Sequence, residues 1–191
     1  RIWHDAGYAG LRIAVNLSGR QLAQKNLVET VAATLTRCAV ARGVLELEIT
    51  ESLLMQDLEQ TAGTLEALAA LGVTVSMDDF GTGYSSLYYL TRLPLHNIKI
   101  DQKFIRGLDH DRNDEAITHA IIALSHGLGM RGIAEGVETP SQFRFLQKQG
   151  CEEAQGFYIG RPMTAQALKV WWEQRMEYAM RLRGEGASAS G

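Results

Sequence analysis

The sequence predicts an α/β fold, and within that class a (β/α)8 barrel of which six strand–helix units are present. Three observations carry this expectation. Short β-rich runs alternate with longer stretches of helical period at intervals of roughly 21 to 34 residues, as parallel βα units do. No G-x-G-x-x-G turn follows the first of these runs, which weighs against an open dinucleotide-binding sheet. Polar residues also stand at the C-terminal end of every strand candidate, not after one or two as at a switch point. In a closed barrel those ends converge on one mouth, where barrel enzymes keep their chemistry.

The strand candidates are, in order, "LRIAVNLS", "LELEIT", "VTVSMDD", "NIKID", "RGIAEG" and "EEAQGFYIG". Their ends carry Asn16; Glu48 and Glu51; Asp78 and Asp79; Lys99 and Asp101; Glu135 and Glu138; and Gln155. Between them, Val28, Val31, Leu35 and Cys38 keep one face of a first helix, and Leu58, Ala62, Leu65 and Leu68 that of a second. Ile117, Ile121, Leu124 and Leu128 keep one face of a later helix. "TPSQFRFL" opens another, with Thr139 as N-cap and Pro140 in the first turn. A last helix runs from about Thr164, through Trp171 and Trp172, towards Arg183. After it "GEGASASG" is a flexible tail without core-forming side chains, so one domain over 1–183 and a tail over 184–191 are expected.

A chain of 191 residues, 46% hydrophobic, suffices for one sizeable core. Its formal net charge of −3 offers no basic field for general nucleic-acid binding, so no DNA partner is expected and a phosphate-bearing ligand must be held locally. Cys38 and Cys151 lie far apart and read as thiols of a reducing compartment, without a disulfide. No run is apolar enough to span a bilayer, and no signal peptide is evident. A first residue of Arg, not Met, suggests a chain that begins inside a longer protein.

The mouth residues form a hard-oxygen set, one amide and several carboxylates without convergent Cys or His, which suits Mg²⁺ or Mn²⁺ better than zinc. Adjacent Asp78 and Asp79 make two metals plausible, one carboxylate bridging while its neighbour serves the second ion. Lys99 could then orient the attacking group or steady phosphate charge, and Glu135 could complete a metal shell or accept a proton. Taken singly, plainer readings compete. Asp78 and Asp79 before "FGTG" could be a turn, Asn16 a helix cap, Lys99 a surface lysine and "EGVET" a solvated loop. Glu48 resists dismissal, because Glu46 and Glu48 alternate with Leu45, Leu47 and Ile49, and a buried carboxylate needs a partner or a metal. The five histidines show no metal-ligand spacing and read as surface or satisfied residues.

Taken in order, "VNLSGRQL", "LELEITES", "MDDFGTGYSSL", "LPLHNIKID", "AEGVET" and "AQGFYIGRPM" resemble successive motifs of the EAL-type cyclic di-GMP phosphodiesterases, from Val15 to Met163. The resemblance implies a TIM-like barrel with one antiparallel strand. It implies that Asn16, Glu48 and Asp78 hold one Mg²⁺ or Mn²⁺, that Asp78 and Asp79 hold a second, and that Ca²⁺ inhibits. Lys99 would contact the nucleophilic water, Glu135 would organise the second metal and its water, and Gln155 would share that shell. Glu51 would brace the loop Phe80 to Ser86; Glu138, with Asp101, Phe80, Gly81 and Thr82, would face substrate. The Glu-Ala-Leu strand that names the family is expected upstream of Arg1, together with a metal-ligand Glu and a phosphate-contacting Arg, which matches six strands where the barrel needs eight.

The implied reaction is hydrolysis of cyclic di-GMP to linear pGpG by metal-activated water. The alternative is a catalytically inactive receptor that binds cyclic di-GMP and signals to a partner; another metal-dependent barrel enzyme is a distant third. The resemblance further implies a cytoplasmic domain with a sensor or GGDEF-type domain upstream, a region that could carry a membrane anchor, and a family in which members often form homodimers.

Overall fold

The structure, a computed structural model, describes residues 1–8, 10–54, 58–82 and 90–175. Residues 83–86 of the expected site loop, the continuation of the last helix to Arg183 and the expected tail over 184–191 lie outside the described residues. Two compact units are present, Arg1–Ile159 and Gly160–Gly191.

The first unit is built on one sheet of β1 (Ile13–Asn16), β2 (Leu45–Thr50), β3 (Thr74–Phe80), β4 (Asn97–Ile100), β5 (Arg131–Ala134) and β6 (Glu153–Ala154). The strands lie in the order β1-β2-β3-β4-β5-β6, and every neighbouring pair is parallel. A doubly wound sheet reverses its strand order at a switch point; this one never does, so it is a barrel wall. The antiparallel strand expected of the family is not among these six. Arg12, just before β1, forms an ion pair with Glu153 on β6, which brings the two outer strands together at their N-terminal ends. The sheet is therefore curled.

Alternation along the strands sorts side chains between two environments. Leu47, Ile49, Val75, Met77, Ile98 and Ile100 face outward into the main core. There they meet Leu65 and Leu68 of α5 (Leu58–Ala70), Ile105 of α6 (Gln102–Gly107), Ile121 and Ile122 of α7 (Arg112–Gly127) and Leu146 of α8 (Pro140–Lys148). Each such side chain, fully buried, contributes about 1.5–3 kcal/mol. The inner face is polar. Asn97 Nδ2 donates to Glu46 Oε1 (3.0 Å) and Ser76 Oγ (2.8 Å), its Oδ1 accepts from Arg131 Nε (3.0 Å), and Arg131 pairs with Glu153 (2.8 Å). Ser76 Oγ donates to Glu46, whose carboxylate lies 3.6 Å from Arg12. These contacts form a closed polar ring beneath the mouth.

Most helices follow the sequence pattern. In α3 (Leu27–Cys38), Val28, Val31 and Leu35 pack on the core, but Cys38 in the last turn is exposed. In α7 the buried face is Thr118, Ile121, Ile122 and Ser125, while Ile117 is 39% exposed, so the expected apolar stripe is rotated. Thr139 is the N-cap of α8, as expected, and the structure adds a capping box with Gln142. The short helices α1 (Ile2–Asp5), α2 (Gly19–Leu22), α4 (Glu51–Leu54) and α6 were not anticipated. In the second unit a helix over 165–175 begins where Thr164 Oγ1 accepts from the Ala167 N–H (3.3 Å), and Arg175 lies over the Trp171 ring. No helix among the described residues is long and apolar enough to cross a membrane.

Candidate metal centre

The mouth is assembled by strand ends in register. Asn16 ends β1 opposite Glu48 on β2, and Thr50 of β2 is opposite Asp78 on β3. On β4, Lys99 is 3% exposed and stands at the centre of the group. Its Nζ lies 2.6 Å from Glu48 Oε1, 2.6 Å from Glu135 Oε1 and 3.3 Å from Asp78 Oδ1. Glu48 thus has the partner its buried position demands. Asn16 does not cap the helix that follows it: that task falls to Ser18, whose side chain accepts from the Gln21 N–H.

Adjacent strand residues ordinarily point to opposite faces, so Asp78 and Asp79 should diverge. They do not. The β3–β4 pairing shifts register between Met77 and Phe80, and Asp79 takes a left-handed φ of 56°. This β-bulge turns the second carboxylate back toward the first. Asp78, Asp79 and Glu135 each present an oxygen within 4.8 Å of the others. Two oxygens across one Mg²⁺ stand about 4 Å apart, so three hard oxygens at this spacing fit a divalent ion with little adjustment. The bulge escaped the sequence reading; Gly81 and Gly83, two and four residues beyond Asp79, were its signal.

Local electrostatics reflect crowded anions. Partial desolvation and the charges of Asp78 and Asp101 hold Asp79 above its ordinary value. Glu135 is likewise raised, by burial and by the charges of Asp78 and Glu48, against the opposing pull of Lys99. Burial alone would lower Lys99, but its hydrogen bonds to Glu135 and Glu48 and the charges of Glu135 and Asp78 outweigh it and raise the group. Lys99 is therefore a fixed ammonium.

The remaining expected residues fall into four settings. Glu51 is 2% exposed, and its Oε2 accepts from the Gly81 N–H (3.2 Å). Gly81 has φ 95°, a conformation that favours glycine, and Thr82 Oγ1 closes the turn onto the Asp79 carbonyl (2.9 Å). Asp101 caps α6 by accepting from the Lys103 N–H (2.7 Å). Phe80 is buried in the hydrophobic core, not open at the mouth. Gln155 and Glu138 line a cavity beside Glu135, and the Gln155 carbonyl accepts from the Val137 N–H (3.0 Å).

Comparison with known proteins agrees with this construction. Residues 1–162 match the family model of the EAL domain. The chain is 50% identical over 168 residues to the bifunctional diguanylate cyclase/cyclic di-GMP phosphodiesterase MucR of Pseudomonas aeruginosa, covering 88% of this chain and 24% of that protein. It therefore spans about a quarter of that relative's length. A solved c-di-GMP complex of the MucR phosphodiesterase superposes with a TM-score of 0.84 at 50% identity, over 87% of this chain and 68% of that one. The crystal structure of the EAL domain of Mycobacterium smegmatis DcpA superposes with a TM-score of 0.83 at 39% identity, over 88% and 76% of the two chains. With its parallel curled sheet, its carboxylate-ringed mouth and this breadth of match, the chain belongs to the EAL domain family.

Proposed function

We propose that this mouth is the centre of a phosphodiesterase that opens cyclic di-GMP to linear pGpG with two divalent cations, Mg²⁺ or Mn²⁺. The observation that carries the reading is the convergence of Asp78, Asp79 and Glu135 beside the Lys99–Glu48 pair. Asn16, Glu48 and Asp78 would hold one cation, and Asp78 and Asp79 the other, with Glu135 and Gln155 completing the shell. Bound there, the cations supply Lewis acidity: they lower the pKa of a coordinated water and offset phosphate charge.

The chain's own residues divide the remaining tasks. Lys99, as a fixed ammonium, donates hydrogen bonds and steadies negative charge; it does not serve as the base. Glu135, held above its ordinary value by burial, would accept and return a proton at the carboxyl that faces Lys99. Glu51 holds the start of the site loop through Gly81. Glu138, Asp101, Gly81, Thr82 and the backbone at Phe80 are assigned to the substrate side. The net reaction adds water across one phosphodiester, breaks one P–O3′ bond and leaves a terminal 5′-phosphate.

MucR is described as joining a diguanylate cyclase to its phosphodiesterase, which supports a similar upstream partner for this domain. Cytoplasmic work, where the dinucleotide is made, and homodimer formation are part of the same reading. The test is pGpG release from cyclic di-GMP by the full-length gene product in Mg²⁺ or Mn²⁺. Calcium, larger and laxer in geometry, should bind but support little turnover. Tight binding without turnover in any of these ions would instead favour a receptor, and equal rates in calcium and magnesium would contradict the cation assignment.

A further inference from the structure

A cavity of about 260 Å³ opens beside the metal centre, lined among others by Gln102, Arg106, Glu135, Glu138, Gln155 and Phe157. Glu135 and Gln155 join it to the metal centre. Its size is below the usual 300–1,000 Å³ range for pockets that enclose a whole ligand, so it suits one part of a dinucleotide, about a single base. Phe157, 50% exposed, adds an aromatic side chain to the cavity wall. Among the described lining residues Arg106 is the one cation, set against the carboxylates of Glu135 and Glu138.

Arg106 is held in place. It stands one helical turn beyond Gln102 on α6 and donates to Gln102 Oε1 at 2.8 Å. Gln102 in turn packs against the loop after β5: a Cβ on Gly136, whose φ is +71°, would come 2.6 Å from the Gln102 Cβ. Glycine at this position lets α6 settle on the segment that carries Glu135 and Glu138. The guanidinium is thus tied to the same loop as the metal centre.

We infer that Arg106 reads the guanine base and is a specificity-determining residue of this site, an inference that rests on the cyclic di-GMP reading above. Guanine presents two adjacent acceptors, O6 and N7, that match the guanidinium fork; adenine replaces O6 with an N6–H₂ donor, which the fork cannot satisfy. A guanidinium also suits phosphate, but phosphate offers acceptors in either nucleotide and cannot discriminate between bases.

The test measures dissociation constants for cyclic di-GMP and cyclic di-AMP in Ca²⁺, and kcat/KM for both in Mg²⁺, for wild type, Arg106→Ala and Arg106→Lys in the full-length protein. Arg106 is exposed, so both variants should fold. Loss of the bidentate pair should cut the preference for guanine by roughly ten- to a hundredfold in Arg106→Ala and by less in Arg106→Lys, because lysine can still donate to O6 and N7 but without the planar fork. An unchanged preference overturns the inference, as does equal weakening of both ligands with recovery in Arg106→Lys, which would mark a phosphate contact. A wild type that binds selectively without turnover sinks the phosphodiesterase reading while leaving the role of Arg106 to be decided by the binding ratios. Binding of neither nucleotide overturns both.

Discussion

Asp79 is the residue through which the backbone shapes the site. A non-glycine residue in the left-handed region costs on the order of 1–3 kcal/mol, and here the strain aims a carboxylate that a regular strand would point away. The need of Glu48 for a partner was legible from "LELEIT", since alternation places Glu46 and Glu48 on one face. The identity of that partner, Lys99, was not, because it arrives from a strand two places along the sheet. Glu51 and Glu48 differ sharply despite their proximity in sequence. Glu51 touches the loop at Gly81, whereas Glu48 touches Lys99 at the centre. Replacing Glu51 with Ala should lower turnover by about 10- to 100-fold through loop disorder while metal affinity holds. Isothermal titration with Mn²⁺ checks this: an affinity loss as steep as that of Glu48→Ala would show the two roles to be misassigned.

At the scale of elements, strands and long helices were readable because each repeats its period often enough to be seen. The helices α2, α4 and α6 span only four to six residues, too few turns to display a stripe, and their ends are set by caps and by packing. In α7 the buried positions include Thr118 and Ser125, so tertiary packing selects a face that apolar spacing alone places one residue away. The last strand candidate runs nine residues in sequence but pairs over only two, Glu153 and Ala154. The polar ring under the mouth was equally hidden, since Ser76, Asn97 and Arg131 gain meaning only when six strands stand side by side. Asn97 is its hub. Asn97→Ala would leave Glu46 and Arg131 short of partners inside the wall and should cost about 2–4 kcal/mol. For a domain of this size that corresponds to a fall in Tm of about 4–16 °C, measurable by calorimetry; a change within 1 °C, on the order of a few tenths of a kcal/mol, would show the ring to be dispensable.

For the whole molecule, unbroken strand order and C-terminal convergence make the fold and the metal centre one construction. Crowded carboxylates make the metal-free centre a proton acceptor. Asp79 and Glu135 are raised in the fold, so the folded state takes up their protons ahead of the unfolded chain, and their contribution to stability rises as pH falls. Cations must displace those protons, so metal binding weakens in the same direction. Saturating Mg²⁺ at about 100 times its Kd should add about 2.7 kcal/mol, or about 5–10 °C in Tm, with a larger shift at alkaline than at acidic pH. Thermal melts across pH with and without Mg²⁺ check this, and a shift that grows on acidification would contradict it. The most direct measurement of the central claim is pGpG formation by wild type and Asp78→Asn in Mg²⁺ and Mn²⁺. Wild type should turn over in both ions, and the variant, which lacks the bridging charge, should lose at least about 10³-fold. A variant that keeps near-full activity would contradict the two-cation centre.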